Sequence, residues 1–177
     1  MRVSPFVRIQ NLGITGMLVR FGMVQYCYND GYKILVFKLM PAKDIFHYAV
    51  RKGLEKEGWL ITNDPLRIEI GDVEMYIDLG AEQILAAERA GEKIAVEIKS
   101  FIGASNISEF HTAIGQFFNY RIALEEQEPE RVLYLAVPLG IYNAFFKLQF
   151  IKIVIQRSQL KLIIYDQIQE VILEWKN

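Results

Sequence analysis

The segment 93–99 constrains the fold of this chain more than any other segment. Apolar residues at 94, 96 and 98 alternate with Ala95, Glu97 and Lys99. Successive side chains of a β-strand point to opposite faces of the sheet. The apolar set must face a core, so we expect Glu97 and Lys99 to lie side by side on an open face, about 7 Å apart along the strand. The pattern therefore predicts a strand that presents a carboxylate and an ammonium group together.

The segments around this strand predict a mixed α/β domain over residues 40–177. A long helix connects strand 93–99 to the next buried strand, so these two strands should run parallel. The result is an αβββαβ core, in which helices flank a mixed central β-sheet. In chain order, the predicted elements are a helix from its N-cap Asp44 to Gly58, strands 59–62, 66–70 and 73–79, a hairpin of 83–88 with 93–99, a helix from Ser105 or Ser108 to about Glu126, a strand 132–137, short helices across 142–157, and strands 161–165 and 170–175.

A boundary is predicted at Met40-Pro41. Upstream, glycines recur without a clear period, and only residues 33–39 are typical of a strand. Downstream, regular periodicity begins at once. One interpretation is that residues 1–39 add a strand and a loop, and the other is that translation starts at Met40. Both interpretations leave residues 1–39 outside the core domain of residues 40–177.

The composition argues against several classes of protein. Cys27 is the only cysteine, which leaves no disulfide framework and no cysteine-based zinc site and indicates a cytoplasmic protein. The longest uncharged stretch, 132–146, is interrupted by Pro138 and Gly140 and is shorter than the roughly 20 apolar residues of a membrane-spanning helix. Residues 40–177 contain 15 basic and 20 acidic residues, a net charge of about −5. That charge counts against a general nucleic-acid coat, because phosphate contacts need a basic surface.

A third residue extends the Glu97 and Lys99 pair into a candidate metal site. Asp78 lies at the end of the predicted strand 73–79. If that strand neighbours strand 93–99, Asp78 and Glu97 can share one hard cation, with the Ile98 carbonyl as a further ligand. Mg²⁺, or Mn²⁺ in its place, takes one or two carboxylates together with water and substrate phosphate oxygens. Lys99 would then polarise the attacking water and neutralise charge on a scissile phosphate.

The tripeptide Glu-x-Lys is a weak signal by itself. A second copy occurs at 174–176, and either copy alone indicates a strand with a solvated salt-bridge face. The context is more specific, because an aspartate stands at a strand end upstream and a helix follows downstream. This arrangement resembles the PD-(D/E)XK nuclease superfamily, which has a restriction-endonuclease-like core. The resemblance implies that Asp78 and Glu97 bind the metal ion and that Lys99 is the catalytic lysine.

Two helices are expected to contribute further residues to this site. Gln116 and Tyr120, at i and i+4, share one helical face and resemble the Gln-x-x-x-Tyr motif of RecB-like nucleases, although an ordinary amphipathic helix gives the same pattern. Related archaeal Holliday-junction resolvases carry an acidic residue early in the first helix. The corresponding position here is His47, and Asp44 lies one turn earlier. His47 is therefore either a ligand or base of the site, or a packed and capping side chain.

From Met40 onward the chain resembles one family in particular, the XisH family. The resemblance is carried by residues 40–44, 58–59, 64–65, 78–82, 94–101 and 124–129, whose sequences are MPAKD, GW, DP, DLGAE, IAVEIKSF and LEEQEP. XisH proteins are cyanobacterial controlling factors for excision of the fdxN element. The resemblance implies a role in programmed DNA rearrangement during heterocyst differentiation. It also implies DNA as a partner, alongside a site-specific recombinase and a companion protein, XisI.

Two classes of function remain open at this point. One is a Mg²⁺-dependent DNA endonuclease that uses Asp78, Glu97 and Lys99. The other is a non-catalytic accessory factor that binds DNA or a recombinase on a retained nuclease fold. The complete triad favours the first class, whereas the negative net charge and the missing acid in the first helix favour the second.

The apolar C-terminal region predicts a protein contact. Its residues form either a docking surface for an XisI-like companion or part of a self-contained core, and a homodimer is also left open. The residues concerned are Phe145, Phe146, Phe150, Ile151 and Ile153.

Residues 1–39 are expected to be dispensable for folding. Because the periodic core and the family resemblance both begin at Met40, a chain that starts there should keep its Tm within a few degrees of the full chain. Differential scanning calorimetry of the two chains measures the difference. A loss of about 3 kcal/mol in the free energy of unfolding would show instead that the first segment contributes to a core.

Overall fold

The computed structural model describes residues 23–29, 32–38, 42–83 and 91–177, with side chains over 45–82 and 91–177. The chain divides into two units, Met1–Asp44 and Ile45–Asn177. In the first unit, β1 (Met23–Asn29) and β2 (Tyr32–Lys38) form an antiparallel pair. The sequence pattern predicted only the second of these two strands.

A six-stranded mixed sheet forms the centre of the second unit. The strands of this unit are β3 (Leu60–Asn63), β4 (Leu66–Ile70), β5 (Val73–Ile77), β6 (Leu79–Gln83), β7 (Glu92–Ile98), β8 (Arg131–Pro138), β9 (Leu162–Asp166) and β10 (Val171–Lys176). The sheet order is β10-β9-β8-β7-β6-β3. β7 pairs antiparallel with β6 and parallel with β8, so it lies in the interior of the sheet. The predicted mixed sheet and its parallel pairing across the helical crossover are confirmed.

Three helices accompany the sheet in the part of the chain that the structure describes. They are α1 (Ala42–Lys56), α2 (Asn106–Gln127) and α3 (Gln149–Ser158), and two short helical turns, Leu139–Ile141 and the π-helical Tyr142–Phe146, precede α3. Among the described residues, no helix combines the length and the apolar character that crossing a membrane requires.

α1 covers one face of the sheet. Ala49, Val50 and Leu54 are buried against that face, as the helical spacing predicts. The helix is followed by Gly58, whose φ of 87° lies in the left-handed region that glycine adopts without strain. The expected N-cap is wrong, because the helix already begins at Ala42 and Asp44 lies within its first turn.

α2 covers the opposite face. Its N-cap is Ser105, whose side-chain oxygen accepts the backbone N–H of Ser108 at 3.4 Å. Phe110, Phe117 and Leu124 lie on its buried side. With helices on both faces, the central strands β7, β8 and β9 are covered on both sides, which explains why β8 is almost continuously apolar.

The predicted single strand 73–79 is in fact two strands that part at Asp78. β5 pairs with β4 in a separate two-stranded ribbon, whereas β6 joins the main sheet beside β7. Ile77 and Leu79 would share a face in a regular strand, yet Ile77 packs in the core beneath α2 and Leu79 in the core beneath α1. The bend thus lets both apolar side chains reach a core. The other predicted hairpin arm, 83–88, lies outside the described residues apart from Gln83, with which β6 ends.

A buried arginine ties together the starting ends of β7 and β8. The Arg131 side chain is 3% exposed, and its guanidinium contacts the carboxylates of Glu82 at 3.3 Å and Glu128 at 2.8 Å. It also donates to the backbone carbonyl of Ile94 at 2.9 Å. Sequence reasoning missed this cluster, because its members are distant in the chain and follow no motif.

Replacing Arg131 with Met is expected to lower the free energy of unfolding by about 3 kcal/mol, because the variant loses buried charge-assisted hydrogen bonds. Urea denaturation measures the loss. Arg67→Met is the matched control, since Arg67 contacts Glu69 and Glu74 on the exposed ribbon. The control should change stability by less than about 1 kcal/mol. Equal losses in the two variants would contradict a structural role specific to Arg131.

Candidate functional site

Asp78 is held at the bend between β5 and β6. Leu79 lies opposite Val96 in the antiparallel register, so the preceding residue, Asp78, comes beside Glu97. Its Oδ2 accepts the backbone N–H of Ile98 at 2.8 Å. This hydrogen bond ties the Asp78 carboxylate to the end of β7.

Glu97 lies on the face of the sheet that α2 covers. It is 3% exposed, and its neighbour on the same face, Ala95, is fully buried. The expected open face is therefore wrong. Both faces of β7 carry a core, because Val96 packs beneath α1 while Ala95 packs beneath α2. The Glu97 carboxylate is consequently removed from bulk water.

Lys99 supplies a counter-charge to this buried carboxylate. Its Nζ lies 2.7 Å from Glu97 Oε1, and its side chain is 22% exposed. The backbone N–H of Lys99 donates to the carbonyl of Ala136 at 3.0 Å, which extends the parallel ladder by one residue. The ammonium group is thus fixed between the buried acid and the surface.

Phe101, two residues further on, has a backbone conformation that is rare for a non-glycine residue. Its φ is 53°, and the side chain is buried against the rings of Phe145 and Phe146. Such strain costs about 1–3 kcal/mol and persists only where the surrounding structure enforces it. The ring packing therefore fixes the path of the chain directly after Lys99.

Gln116 and Tyr120 of α2 lie beside the two acidic residues. Gln116 Nε2 and the Tyr120 hydroxyl are 3.4 Å apart. Burial raises the pKa of Tyr120 to about 12, with further contributions from the negative charges of Glu97 and Asp78. Tyr120 consequently stays neutral at physiological pH and keeps its proton for donation. The predicted helical face is thus turned towards the carboxylates.

Two buried polar atoms around the site have no hydrogen-bond partner in the part of the chain that the structure describes. They are Gln116 Oε1 and the hydroxyl of Tyr165. Burial, and then the negative charge of Asp78, raise the pKa of the Tyr165 hydroxyl. A buried polar atom without a partner costs about 1–3 kcal/mol, so such atoms often mark a place where an ion, water or ligand binds.

His47 and Asp44 belong to α1. His47 Nε2 lies 2.8 Å from Asp64 Oδ1, and Arg51 contacts the other oxygen of the same carboxylate at 2.7 Å. α1 packs on the face of the sheet opposite Glu97. The described contact of His47 is therefore with Asp64, and not with the two acids of the candidate site. The side chain of Asp44 lies outside the described residues.

Sequence reasoning missed two residues that the structure places near the predicted ones. Asp64 was noted only as a turn residue, although its pairing with His47 and Arg51 fixes the end of β3 to α1. Tyr165 lies in an apolar strand, where an isolated tyrosine carries no functional signal. Only the fold brings Tyr165 close enough to Asp78 for the charge of that carboxylate to raise the pKa of the tyrosine.

The residues present fit a small hard cation. Among the described residues, no cluster of three or more His, Cys, Asp and Glu side chains surrounds a common point. The oxygen donors of this region are instead the carboxylates of Asp78 and Glu97 and the buried amide oxygen of Gln116. Mg²⁺ typically binds one or two carboxylates and completes its shell with water and substrate oxygens. This oxygen-only set is suited to Mg²⁺ or Mn²⁺.

The mixed sheet flanked by helices, with two acids and a lysine at the ends of neighbouring strands, is consistent with a nuclease-like α/β protein. The family model described as XisH protein matches residues 40–173. The chain therefore belongs to the XisH family, as its sequence motifs predicted.

Two solved structures resemble this chain closely. The crystal structure of an XisH family protein from Nostoc punctiforme PCC 73102 is 56% identical, with a TM-score of 0.69 over 76% of this chain and 100% of that one. The crystal structure of a fdxN element excision controlling factor protein from Anabaena variabilis is 53% identical, with a TM-score of 0.68 over 76% of this chain and 99% of that one. Comparison with curated proteins gives no match.

Lys99→Met is expected to lower the free energy of unfolding by about 3 kcal/mol, because it leaves the buried Glu97 carboxylate without its counter-charge. Adding Glu97→Gln to that variant should recover most of the loss, since a neutral amide needs no cation. Urea denaturation of the single and double variants measures the coupling.

The second Glu-x-Lys copy provides the control for this cycle. Lys176 contacts Glu174 at the surface of the edge strand β10, so Lys176→Met should change stability by no more than about 0.5 kcal/mol. Additive effects of Lys99→Met and Glu97→Gln would show that the two groups do not depend on each other.

Proposed function

We propose that this protein controls the programmed excision of a DNA element, of the kind named for its Anabaena relative, and that it does so by Mg²⁺-dependent DNA hydrolysis at a PD-(D/E)XK-type site. The observation that carries the proposal is the 2.7 Å contact between Lys99 and the buried Glu97, which lies beside Asp78. A solvated salt bridge would not place a carboxylate in a core, because its burial costs several kcal/mol. A site that needs a dry, fixed carboxylate accounts for that cost.

Asp78 and Glu97 would hold the metal ion, with Gln116 Oε1 as a neutral neighbour. When bound, Mg²⁺ or Mn²⁺ supplies Lewis acidity and neutralises charge on a phosphate group. The hydrogen bond from Ile98 N–H to Asp78 Oδ2 leaves that carboxylate little freedom to turn. The protein thus provides a pair of acids whose positions are set before any ion arrives.

The remaining side chains have roles that need no metal ion. The Lys99 ammonium, part exposed and anchored by Glu97, can hold a water molecule against a phosphate and offset the negative charge that develops there. Tyr120 remains protonated, since its pKa is raised to about 12, and can donate a hydrogen bond to a phosphate oxygen. Both groups are preorganised donors for phosphodiester hydrolysis.

A cleavage assay on duplex and branched DNA tests this proposal. Mg²⁺ or Mn²⁺ should support nicking, whereas Ca²⁺ should bind without turnover. Asp78→Ala and Glu97→Ala should abolish metal binding in calorimetry and cleavage together. Lys99→Met should retain metal binding and lose at least about 100-fold in rate, as expected when one donor that stabilises the transition state is removed.

The control for cleavage is Glu174→Ala, which removes the exposed acid of the second Glu-x-Lys copy. It should leave both metal binding and cleavage unchanged. Cleavage that survives Glu97→Ala would contradict the proposed site.

A non-catalytic accessory role is the second candidate. The observation in its favour is the net charge of about −5 over residues 40–177, which suits a protein partner better than DNA. Such a partner would be an XisI-like companion or a recombinase. Of the apolar residues expected to contact a companion, Phe145, Phe146 and Ile151 are buried in the chain's own core, and Phe150 and Ile153 are exposed. Metal binding without cleavage of any DNA would favour this role.

A further inference from the structure

The segment that connects β8 to β9 contains basic residues and no acidic ones. Residues 139–161 include Lys147, Lys152, Arg157 and Lys161, with no Asp or Glu. The rest of residues 40–177 contains 11 basic and 20 acidic residues, a net charge of about −9. The connecting segment is therefore a cationic stretch in an otherwise acidic domain.

These cations differ from most others in the second unit. Lys52, Arg67 and Lys93 each contact a carboxylate. Within the described part of the chain, Lys147, Lys152 and Arg157 contact none, and Lys147 lies only over the ring of Tyr142. Their charge is thus not neutralised by a carboxylate of the described residues and is available to a ligand.

The outward side of α3 and the residues before it form a mixed surface, here called the basic face. α3 packs on the core through Ile151 and Ser158. Large apolar side chains nevertheless stand in solvent, with Phe150 at 62% exposure and Leu148 at 52%. The basic face consists of Lys147, Leu148, Phe150, Lys152, Ile153 and Arg157, all of them exposed.

The basic face begins at the edge of the sheet where the candidate site lies. Lys99 N–H bonds the carbonyl of Ala136, and β8 ends two residues later. The rings of Phe145 and Phe146 then pack on Phe101, just after Lys99. Because β9 runs parallel to β8, the connection must return along the sheet, and its helix of 10 residues covers about 15 Å of that path.

We propose that the basic face binds the phosphate backbone of DNA and leads a DNA strand to the site at Asp78, Glu97 and Lys99. The choice of DNA rests on the proposed function, and the charge distribution supplies the physical reason. The acidic surface elsewhere repels phosphates, so a polyanion is confined to this face. Phe150 offers a stacking surface for an unpaired base beside the cations.

The test is a fluorescence anisotropy titration of the full chain with a labelled DNA duplex in EDTA, over a series of salt concentrations. The triple variant Lys147→Gln, Lys152→Gln and Arg157→Gln should bind at least about tenfold more weakly at low salt. The slope of log affinity against log salt is negative, and each lost phosphate contact should reduce its magnitude by about 0.9. The magnitude should therefore decrease by about 2 to 3 in the triple variant.

A second triple variant provides the matched control. Lys52→Gln, Arg67→Gln and Lys93→Gln remove the same number of charges from side chains that already contact carboxylates. This variant should keep the wild-type slope, because those cations release no counterions from DNA. Equal effects of the two triple variants, or a wild-type protein that binds no duplex at low salt, would overturn the proposal.

Phe150→Ala separates stacking from charge. It should weaken binding to DNA with unpaired bases and leave the salt slope unchanged, because stacking releases few counterions. An unchanged affinity would remove the stacking role from the proposal. Circular dichroism of each variant shows that it is folded.

Two further comparisons assign the result. The wild-type protein could instead bind vesicles with anionic lipid and not bind DNA, with vesicle binding lost in the first triple variant. That result would identify a membrane surface as the ligand and overturn the proposal. Glu174→Ala, which lies outside both the candidate site and the basic face, should bind DNA normally in EDTA. If only the first triple variant loses DNA binding and the wild-type protein does not cleave DNA, the basic face is supported and the proposed catalysis is wrong. If the wild-type protein cleaves DNA and the first triple variant binds DNA normally, only the proposal of the basic face is wrong.

Discussion

The burial of the Glu97 carboxylate in an interior strand is the constraint on which the rest of the site depends. Removing an ionised carboxylate from water costs several kcal/mol unless charges and hydrogen bonds compensate for it. Lys99 provides the charge from the same strand, and α2 turns Gln116 and Tyr120, instead of apolar residues, towards this part of the sheet. The polar side chains on a helix that otherwise buries Phe110 and Phe117 are explained by this requirement.

The bend at Asp78 is the second element of the same arrangement. A straight strand would carry Ile77 and Leu79 on one face and Asp78 on the other, and the ribbon of β4 and β5 could not leave the sheet. The bend assigns Ile77 and Leu79 to different cores and leaves the carboxylate beside Glu97, hydrogen-bonded to Ile98 N–H. Folding and the position of the acid are thus coupled, because the apolar neighbours of Asp78 determine its position.

Sequence periodicity was sufficient wherever one rule governed an element. The strand conformation of β7, the buried face of α1 and the long crossover through α2 follow from local spacing, and the structure agrees with them. Sequence periodicity failed where the surroundings of a residue are set by elements that are distant in the chain. The alternation in β7 gave no sign that its second face is also covered, since Ala95 and Glu97 are compatible with solvent as well as with a helix. Nor did it reveal Arg131, whose partners Glu82 and Glu128 meet only through the register of the strands.

The charge of the domain shows why a sum over residues is a poor guide to its partners. A total of about −5 conceals an acid-free segment and a remainder that is far more acidic. The apolar C-terminal residues likewise resemble one surface in the sequence, whereas in the structure some of them are buried in the core and others are exposed. Phe145 and Phe146 pack on Phe101 and hold the chain after Lys99, whereas Phe150 faces solvent among cations. Because a partner senses only local potential and exposed area, each of these residues has to be assigned to the core or to the surface before its contribution to binding can be judged.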